Sequence, residues 1–314
     1  MVLIITLNYN QNEFTLSCVH SILKSNYNDF KLLLIDNGSN INNYENLKKN
    51  IPKNNKLILK RIEDNSGYVG GINFGLQEGL KYYPDYFLIM NNDTIIDSNA
   101  ITELVKTCNE FDDRAIVTGK VYHYDSPDVL QDIGYSYLNK KTLQFKRIGL
   151  NQIDSGQYNI TQERDMIDDV FWLFPVRLYT DIGGYSTYFW FNAEQVDFAL
   201  RAKKNKYKLI YTPYAKLWHK GSVSIGGRDK NPKLAYWHIQ SSLILGFIHL
   251  NFVNFFIFFL SILKSVIVTN IKSLLYSLFD NSSLKDYARA KRKGLFYFFK
   301  WIFLKNENVG KCPV

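Results

Sequence analysis

Residues 86–97 read Tyr86-Phe87-Leu88-Ile89-Met90-Asn91-Asn92-Asp93-Thr94-Ile95-Ile96-Asp97, an apolar run that stops at two amides and a carboxylate. Five consecutive apolar residues bounded by a polar cluster suit a strand buried on both faces. Polar side chains then crowd the strand's carboxyl end, which is where open α/β sheets take their ligands. On its own Asn91-Asn92-Asp93 reads as a turn, since Asn and Asp are ordinary turn formers. The flanking segments change that weighting.

Upstream, residues 2–8 read as a strand, and residues 13–25 place Phe14, Leu16, Val19, Ile22 and Leu23 at helical spacing behind Asn12 as N-cap. A second strand at 31–35 ends in Asp36-Asn37-Gly38-Ser39, a weaker helix spans 43–50, and a third strand spans 57–62. This alternation is that of a parallel, doubly wound sheet. Residues 65–73, Asn65-Ser66-Gly67-Tyr68-Val69-Gly70-Gly71-Ile72-Asn73, form a glycine-rich entry to a helix ending near residue 82. Small residues there let backbone amides approach an anion, or simply allow a tight strand-to-helix turn. The segment is neither a Walker loop nor a dinucleotide fingerprint. After residues 86–97 come a helix at 99–111, a strand at 115–121, and a polar stretch at 122–165 expected to form hairpins and a mobile loop.

At 314 residues, 46% hydrophobic, the chain can bury a full core and suits one catalytic-size domain with a tail. Cys18, Cys108 and Cys312 are scattered, without metal spacing, and read as packing residues in a reducing compartment. Met1 leads into a β-rich run with no basic leader, so the chain is expected to start in the cytoplasm.

Taken together, Leu7-Asn8-Tyr9-Asn10, Ile35-Asp36-Asn37-Gly38-Ser39, the Asn65-Ser66-Gly67 and Gly70-Gly71-Ile72-Asn73 segments and Met90-Asn91-Asn92-Asp93-Thr94 resemble family 2 inverting glycosyltransferases, particularly the rhamnosyltransferase-like branch. Gly183-Gly184-Tyr185, Glu194-Gln195-Val196-Asp197-Phe198 with Leu200-Arg201, then Pro213 and Trp218-His219-Lys220-Gly221-Ser222 extend the likeness to about residue 227. The resemblance implies a GT-A fold, a Rossmann-like mixed sheet flanked by helices, and a nucleotide-sugar donor. It implies donor contacts from Asn8, Asn10, Asp36, Asn37, Gly67, Gly70, Asn73, Asn91 and Asn92, with Asp36 on the base or ribose. It assigns Asp93 and His219 to a divalent metal, Mg²⁺ or Mn²⁺, on the diphosphate. A hard cation held by carboxylate and phosphate oxygens stabilises that leaving group, and a histidine ligand tilts the choice toward Mn²⁺. A histidine bonded to backbone at a strand end is the bland reading of His219.

Inversion needs a base on the sugar face opposite the diphosphate. The resemblance puts that base at Gln195, and an amide cannot accept the proton. Either Glu194 swings in, another carboxylate such as Asp197 substitutes, or transfer is slow or lost. Glu194 is the preferred candidate, at the start of a helix over 194–203 whose dipole should keep its carboxyl ionised; Asp197 suits a structural pair with Arg201. Restoring a carboxylate at 195 is expected to be tolerated or activating.

From residue 243 the character changes: residues 243–263 carry no charge, yet Gly246, His249, Asn251, Asn254 and Ser261 punctuate them, which suits helices lying in a membrane interface better than a clean span. A helical subdomain packed on the core is the rival reading. Residues 264–314 hold ten basic side chains against three acidic ones, most of the chain's net +9, interleaved with Phe296, Tyr297, Phe298, Phe299, Trp301 and Phe303. That mixture suits an anionic lipid surface, and no nucleic-acid motif accompanies it. The expected organisation is a GT-A domain at 1–227, divided into a nucleotide-sugar half at 1–121 and an acceptor and metal half at 122–227, then a membrane-associating tail at 228–314. The expected activity is metal-dependent transfer of a sugar, rhamnose from its thymidine diphosphate donor leading, to a glycan or lipid-linked glycan at the cytoplasmic face of the cell membrane, in surface polysaccharide synthesis. A nucleotidyltransferase and a non-catalytic sugar-nucleotide or glycan-binding scaffold stay open.

Overall fold

The computed structural model describes residues 1–221, 231–276 and 282–305. Ser222, the boundary at 227 and Cys312 lie outside them. The nucleotide-side half runs β1 (Val2–Asn8), α1 (Asn12–Leu23), β2 (Phe30–Asn37), α2 (Ile41–Asn50), β3 (Leu57–Ile62), α3 (Gly67–Gly79), β4 (Tyr86–Met90), β5 (Thr94–Ile96) and α4 (Ala100–Glu110). The next part holds β6 (Ala115–His123), β7 (Ser126–Asp132), β8 (Tyr135–Asn139), β9 (Gln144–Arg147), β10 (Gln162–Glu163), β11 (Phe171–Pro175), α5 (Val176–Ile182), α6 (Glu194–Lys204) and β12 (Lys208–His219). Helices α7 (Pro232–His249), α8 (Phe252–Tyr276) and α9 (Ser282–Leu304) follow.

Strands β3, β2, β1 and β4 are parallel neighbours, in the order expected of a doubly wound sheet. The sheet then turns mixed: β11 runs antiparallel between β4 and β6, and β12 lies parallel to β6. Helices α1, α2 and α4 cover one face through Cys18, Val19, Leu47, Ile101 and Leu104. Helices α3, α5, α6 and α7 cover the other through Ile72, Leu76, Leu178, Phe198, Ile239 and Leu243. Both described cysteines are buried and free, as packing residues should be. Residues 122–165 supply the β6–β7 and β8–β9 pairings.

The glycines of α3 have a packing reason. A Cβ on Gly75 would lie 2.6 Å from Ile5 and one on Gly79 2.4 Å from Leu3, so helix and sheet meet at a distance that any larger residue would open. The expected Asn12 cap is corrected: Gln11 holds the cap position of α1 without a side-chain capping bond to the helix, and the Asn12 amide donates to the Asn43 carbonyl at 2.7 Å, tying α1 to α2.

The uncharged run at 243–263 is not one helix. Leu250 is extended, and the Asn251 Oδ1 accepts from the Asn254 amide at 2.9 Å, which starts a new helix there. Residues Leu243, Ile244 and Leu245 are buried in the core beneath the sheet, whereas Phe252, Val253, Phe256, Ile257 and Leu260 are exposed. Among the described residues one segment, Phe252–Leu275, is long and apolar enough to cross a membrane, with a mean hydropathy of 2.1.

Candidate functional site

The carboxyl ends of β1, β2 and β4 carry a closed polar network. The Asn8 amide donates to Asp36 Oδ2 at 2.8 Å, the Ser39 amide to Asp36 Oδ1 at 3.2 Å, and the Arg61 guanidinium reaches Asp36 Oδ1 at 3.4 Å. Asp36 is fully buried, so contact with a nucleotide requires Ser39 or Arg61 to give way. Asn37 ties β2 to the start of α3, accepting from the Ser66 hydroxyl at 2.7 Å and donating to the Gly67 carbonyl at 2.9 Å. Asn92 donates to the Thr15 hydroxyl at 2.7 Å. Asn10 has positive φ and accepts from the Asn40 amide at 3.0 Å. The amide of Asn73 is used at both ends, by the backbone N–H and carbonyl of Tyr185, and so fixes the Gly183-Gly184-Tyr185 turn against α3. Gly67 has φ +74°, with the Trp190 ring 2.7 Å from where a Cβ would stand, while Gly70 faces Ser66.

The metal-side residues meet because β5 pairs with β12, Thr94 standing opposite His219, which folds the residues after β4 back over the sheet. The Lys220 amide donates to the Asp93 carbonyl at 3.0 Å. Asp93 Oδ1 lies 3.2 Å from His219 Nε2, both side chains largely buried. On its other side His219 Nδ1 is 2.5 Å from Gln131 Oε1, an oxygen that can only accept. Nδ1 therefore carries the proton, and Nε2 faces a carboxylate with its lone pair unless it too is protonated. Two electron-rich groups facing each other ask for a cation between them, so the donor set fits a divalent metal. Among the described residues no cluster of three or more His, Cys, Asp and Glu side chains converges, so further ligands would come from phosphate oxygens and water. Gln131 was missed in the sequence because it sits in a polar stretch without periodicity.

The acceptor-side cluster departs most from expectation. Glu194 opens α6, but its side chain is 3% exposed and its Oε2 is enclosed without a hydrogen-bond partner. Burial first, then the charge of Asp169, push its carboxyl well above the ordinary range, so the expected low value set by the helix dipole is overturned. Gln195 Oε1 is likewise enclosed and unpartnered. Ala193 and Asn192 just before them are left-handed, a strained pair that aims the start of α6 inward. Asp197 does what was expected: its carboxylate takes the Arg201 guanidinium at 2.8 Å, and also His249 of α7 at 2.7 Å.

Beside Glu194 stands Asp169, which was not singled out from the sequence. The only signal was its place two residues ahead of the apolar strand β11. Asp169 Oδ2 accepts from the Tyr68 hydroxyl at 2.9 Å and the Tyr185 hydroxyl at 2.7 Å. Its neighbour Asp168 accepts from the Tyr135 hydroxyl at 2.8 Å, and Arg147 lies between Asp168 and Asp132. Trp190, in the loop before α6, stacks on Trp237 of α7, and the Ser241 hydroxyl donates to the Phe191 carbonyl at 3.2 Å, so α7 holds that loop in place.

Known proteins resemble this arrangement at three levels. Glycosyltransferase GlyG of Streptococcus pneumoniae serotype 4 is 28% identical over 120 residues, 38% of each chain. The poly-beta-1,6-N-acetyl-D-glucosamine synthase of Staphylococcus aureus strain COL is 25% identical over 222 residues, 70% of this chain and 50% of the synthase. The chain thus spans half or less of the length of these relatives. The crystal structure of GalNAc-T7 with UDP, GalNAc and Mn²⁺ superposes with a TM-score of 0.60 at 15% identity, covering 70% of this chain and 43% of that one, which establishes a GT-A-like fold. Residues 3–171, more than half of the chain, match the family described as Glycosyl transferase family 2, and the chain belongs to that family.

Proposed function

We propose that the chain transfers a sugar from a nucleotide donor, with inversion and with a divalent metal, to a glycan or lipid-linked glycan in surface polysaccharide synthesis. The observation that carries this is the Asp93–His219 pair, oriented by Gln131, at the carboxyl end of β4 in a family 2 chain. Asp93 and His219 would hold the metal, which supplies charge stabilisation to the departing diphosphate. Asn8, Asn37 and Asn92 fix the strand ends around the donor, and the α6 side of the site, with Glu194 and Gln195 at the family's base position, receives the acceptor. Rhamnose from its thymidine diphosphate donor is the leading donor, on the motif resemblance. Asp93→Ala should cut turnover about a hundredfold or more. Full activity in excess chelator overturns the metal assignment. Release of pyrophosphate instead of nucleoside diphosphate would identify a nucleotidyltransferase. Gln195 favours one further reading, a non-catalytic sugar-nucleotide binder; calorimetric donor binding with no transfer across a donor panel identifies it.

We also infer that the protein works on an anionic membrane surface, touching it through α8 and α9 of the expected 228–314 tail, with domain 1–227 above it. The support is the exposed apolar face of α8 beside Lys264 and Lys272, continued on α9 by Phe296, Phe299 and Phe303 with Lys300 and Lys305. Lying flat fits better than spanning. Phe255, Phe258, Ile262 and Val266 all pack against the core, and Ser265 and Thr269 accept from the Lys291 ammonium at 3.0 and 2.9 Å, so protein covers one side of α8 for much of its length. Flotation with phosphatidylglycerol vesicles should recover the full chain at low salt, and Phe252→Ser with Phe256→Ser should release it. Recovery unchanged in the double variant would assign this face another role.

A further inference from the structure

The base of this chain need not sit on α6. Gln195 carries an amide, and Glu194, enclosed with Oε2 left without a donor, is favoured as the neutral acid, because burial without full hydrogen bonding penalises the ionised form. A neutral acid donates a proton and cannot take one. The adjacent carboxylate that is equipped to stay ionised is Asp169, since two hydroxyls, from Tyr68 on α3 and Tyr185 on the Gly-Gly turn, both donate to its Oδ2. Both tyrosines are themselves held well above the ordinary phenol value by burial and by Asp169, so they remain donors across the working pH range.

We propose that Asp169, held by Tyr68 and Tyr185 and flanked by Glu194, is the base that takes the acceptor hydroxyl's proton in this chain. This rests on the glycosyl-transfer reading above. In the step, the acceptor O–H breaks and its proton passes to Asp169. The oxygen's electron pair forms the bond to the anomeric carbon, and the bond from that carbon to the diphosphate breaks, its pair leaving with the nucleoside diphosphate. The location is consistent with such a role: Tyr68 follows Gly67 at the donor-side helix start, and Tyr185 is locked to α3 by Asn73, so Asp169 is positioned from the donor side and the acceptor side at once.

Burial and three groups tune Asp169. Burial raises its carboxyl most, the Asp168 charge raises it next, and the Tyr185 and Tyr68 hydroxyls lower it, leaving it at about 7, close to the value a general base needs at neutral pH. Beyond them Glu194 faces the same cluster, and Asp168 in turn faces Tyr135 and the Arg147 guanidinium, with Asp132 behind. Ionisation of Asp169 should therefore set the acidic limb of the kcat/KM profile.

The test measures transfer and calorimetric donor binding for the full chain and for Asp169→Asn, Tyr185→Phe, Asp168→Asn and Glu194→Gln. Asp169→Asn should lose about a hundredfold or more in transfer with donor affinity kept, and Glu194→Gln should lose less. Tyr185→Phe removes a donor to the ionised carboxylate, so its acidic limb should move to higher pH; Asp168→Asn removes a like charge, so its limb should move to lower pH. Opposite displacements are not the signature of damaged packing, and they read the assignment even if Asp169→Asn fails to fold. Wild-type transfer with a larger loss in Glu194→Gln than in Asp169→Asn, or with limbs unmoved in both tuning variants, overturns the assignment of Asp169 alone. Donor binding without transfer by the wild type overturns the transfer reading and this assignment together.

Discussion

Gly67 is where the start of α3 meets the loop that precedes α6. Its left-handed backbone begins α3, and the Trp190 ring occupies the space a side chain would need. Gly67→Ala should cost about 1–3 kcal/mol and displace Trp190, read as a lower melting temperature and altered tryptophan fluorescence. Gln195 gives the opposite lesson about restoration. The enclosed Oε1 has no donor, which argues against the expectation that an Asp or Glu there is tolerated or activating. Gln195→Asp should destabilise by about 1–3 kcal/mol in a denaturant titration, since a carboxylate oxygen standing where the enclosed Oε1 stands would find no donor. The polar strand ends were legible in the sequence, because Asn8, Asp36 and Asn37 close recognisable strands and Asp93 follows shortly after one. Asp169 and Gln131 were not, because what singles them out is the partner that faces them: Tyr68 lies 101 residues from Asp169, and His219 lies 88 residues from Gln131.

At the scale of elements, α6 is fixed from both ends. Its first residues face the acid cluster, and Asp197, closing its first turn, joins it to α7 through His249 and to the Gly-Gly turn through Arg201, whose guanidinium donates to the Ile182 and Gly184 carbonyls at 2.7 Å each. Burial raises the Asp197 carboxyl, but the hydrogen bond from His249 and the Arg201 charge win and hold it below the ordinary range. A carboxyl lowered in the folded state stabilises above its unfolded value of roughly 4 and loses that contribution as pH falls through the folded value. Asp197→Asn should therefore cost about 3 kcal/mol or more near neutral pH and flatten the acid limb of stability, checked by denaturant titrations from pH 7 to 3. The parallel half of the sheet was legible because each apolar run ends in a polar cluster. The antiparallel insertion was not: β11 pairs Phe171 with Met90, and no local pattern announces a partner so distant.

Across the whole molecule, the tail is not an appendage. Ile239, Leu243 and Ile244 of α7 share a core with Leu3 and Ile5 of β1, and Phe298 and Trp301 of α9 close its rim. Removing everything after residue 227, the simplest way to detach the chain from lipid, should yield an aggregating or molten product by size exclusion and near-ultraviolet dichroism. A compact, cooperatively melting fragment would show that α7 is dispensable. The break at Leu250 and Asn251 has a further consequence. It sends one half of an uncharged stretch into the core and leaves one face of the other half outside, so the carboxyl end of β4 stands at a set height over whatever surface receives α8. On the proposed membrane surface the protein would then work as a ruler: with acceptors tethered to vesicles by spacers of graded length, turnover should peak sharply at one spacer and fall away on either side of it.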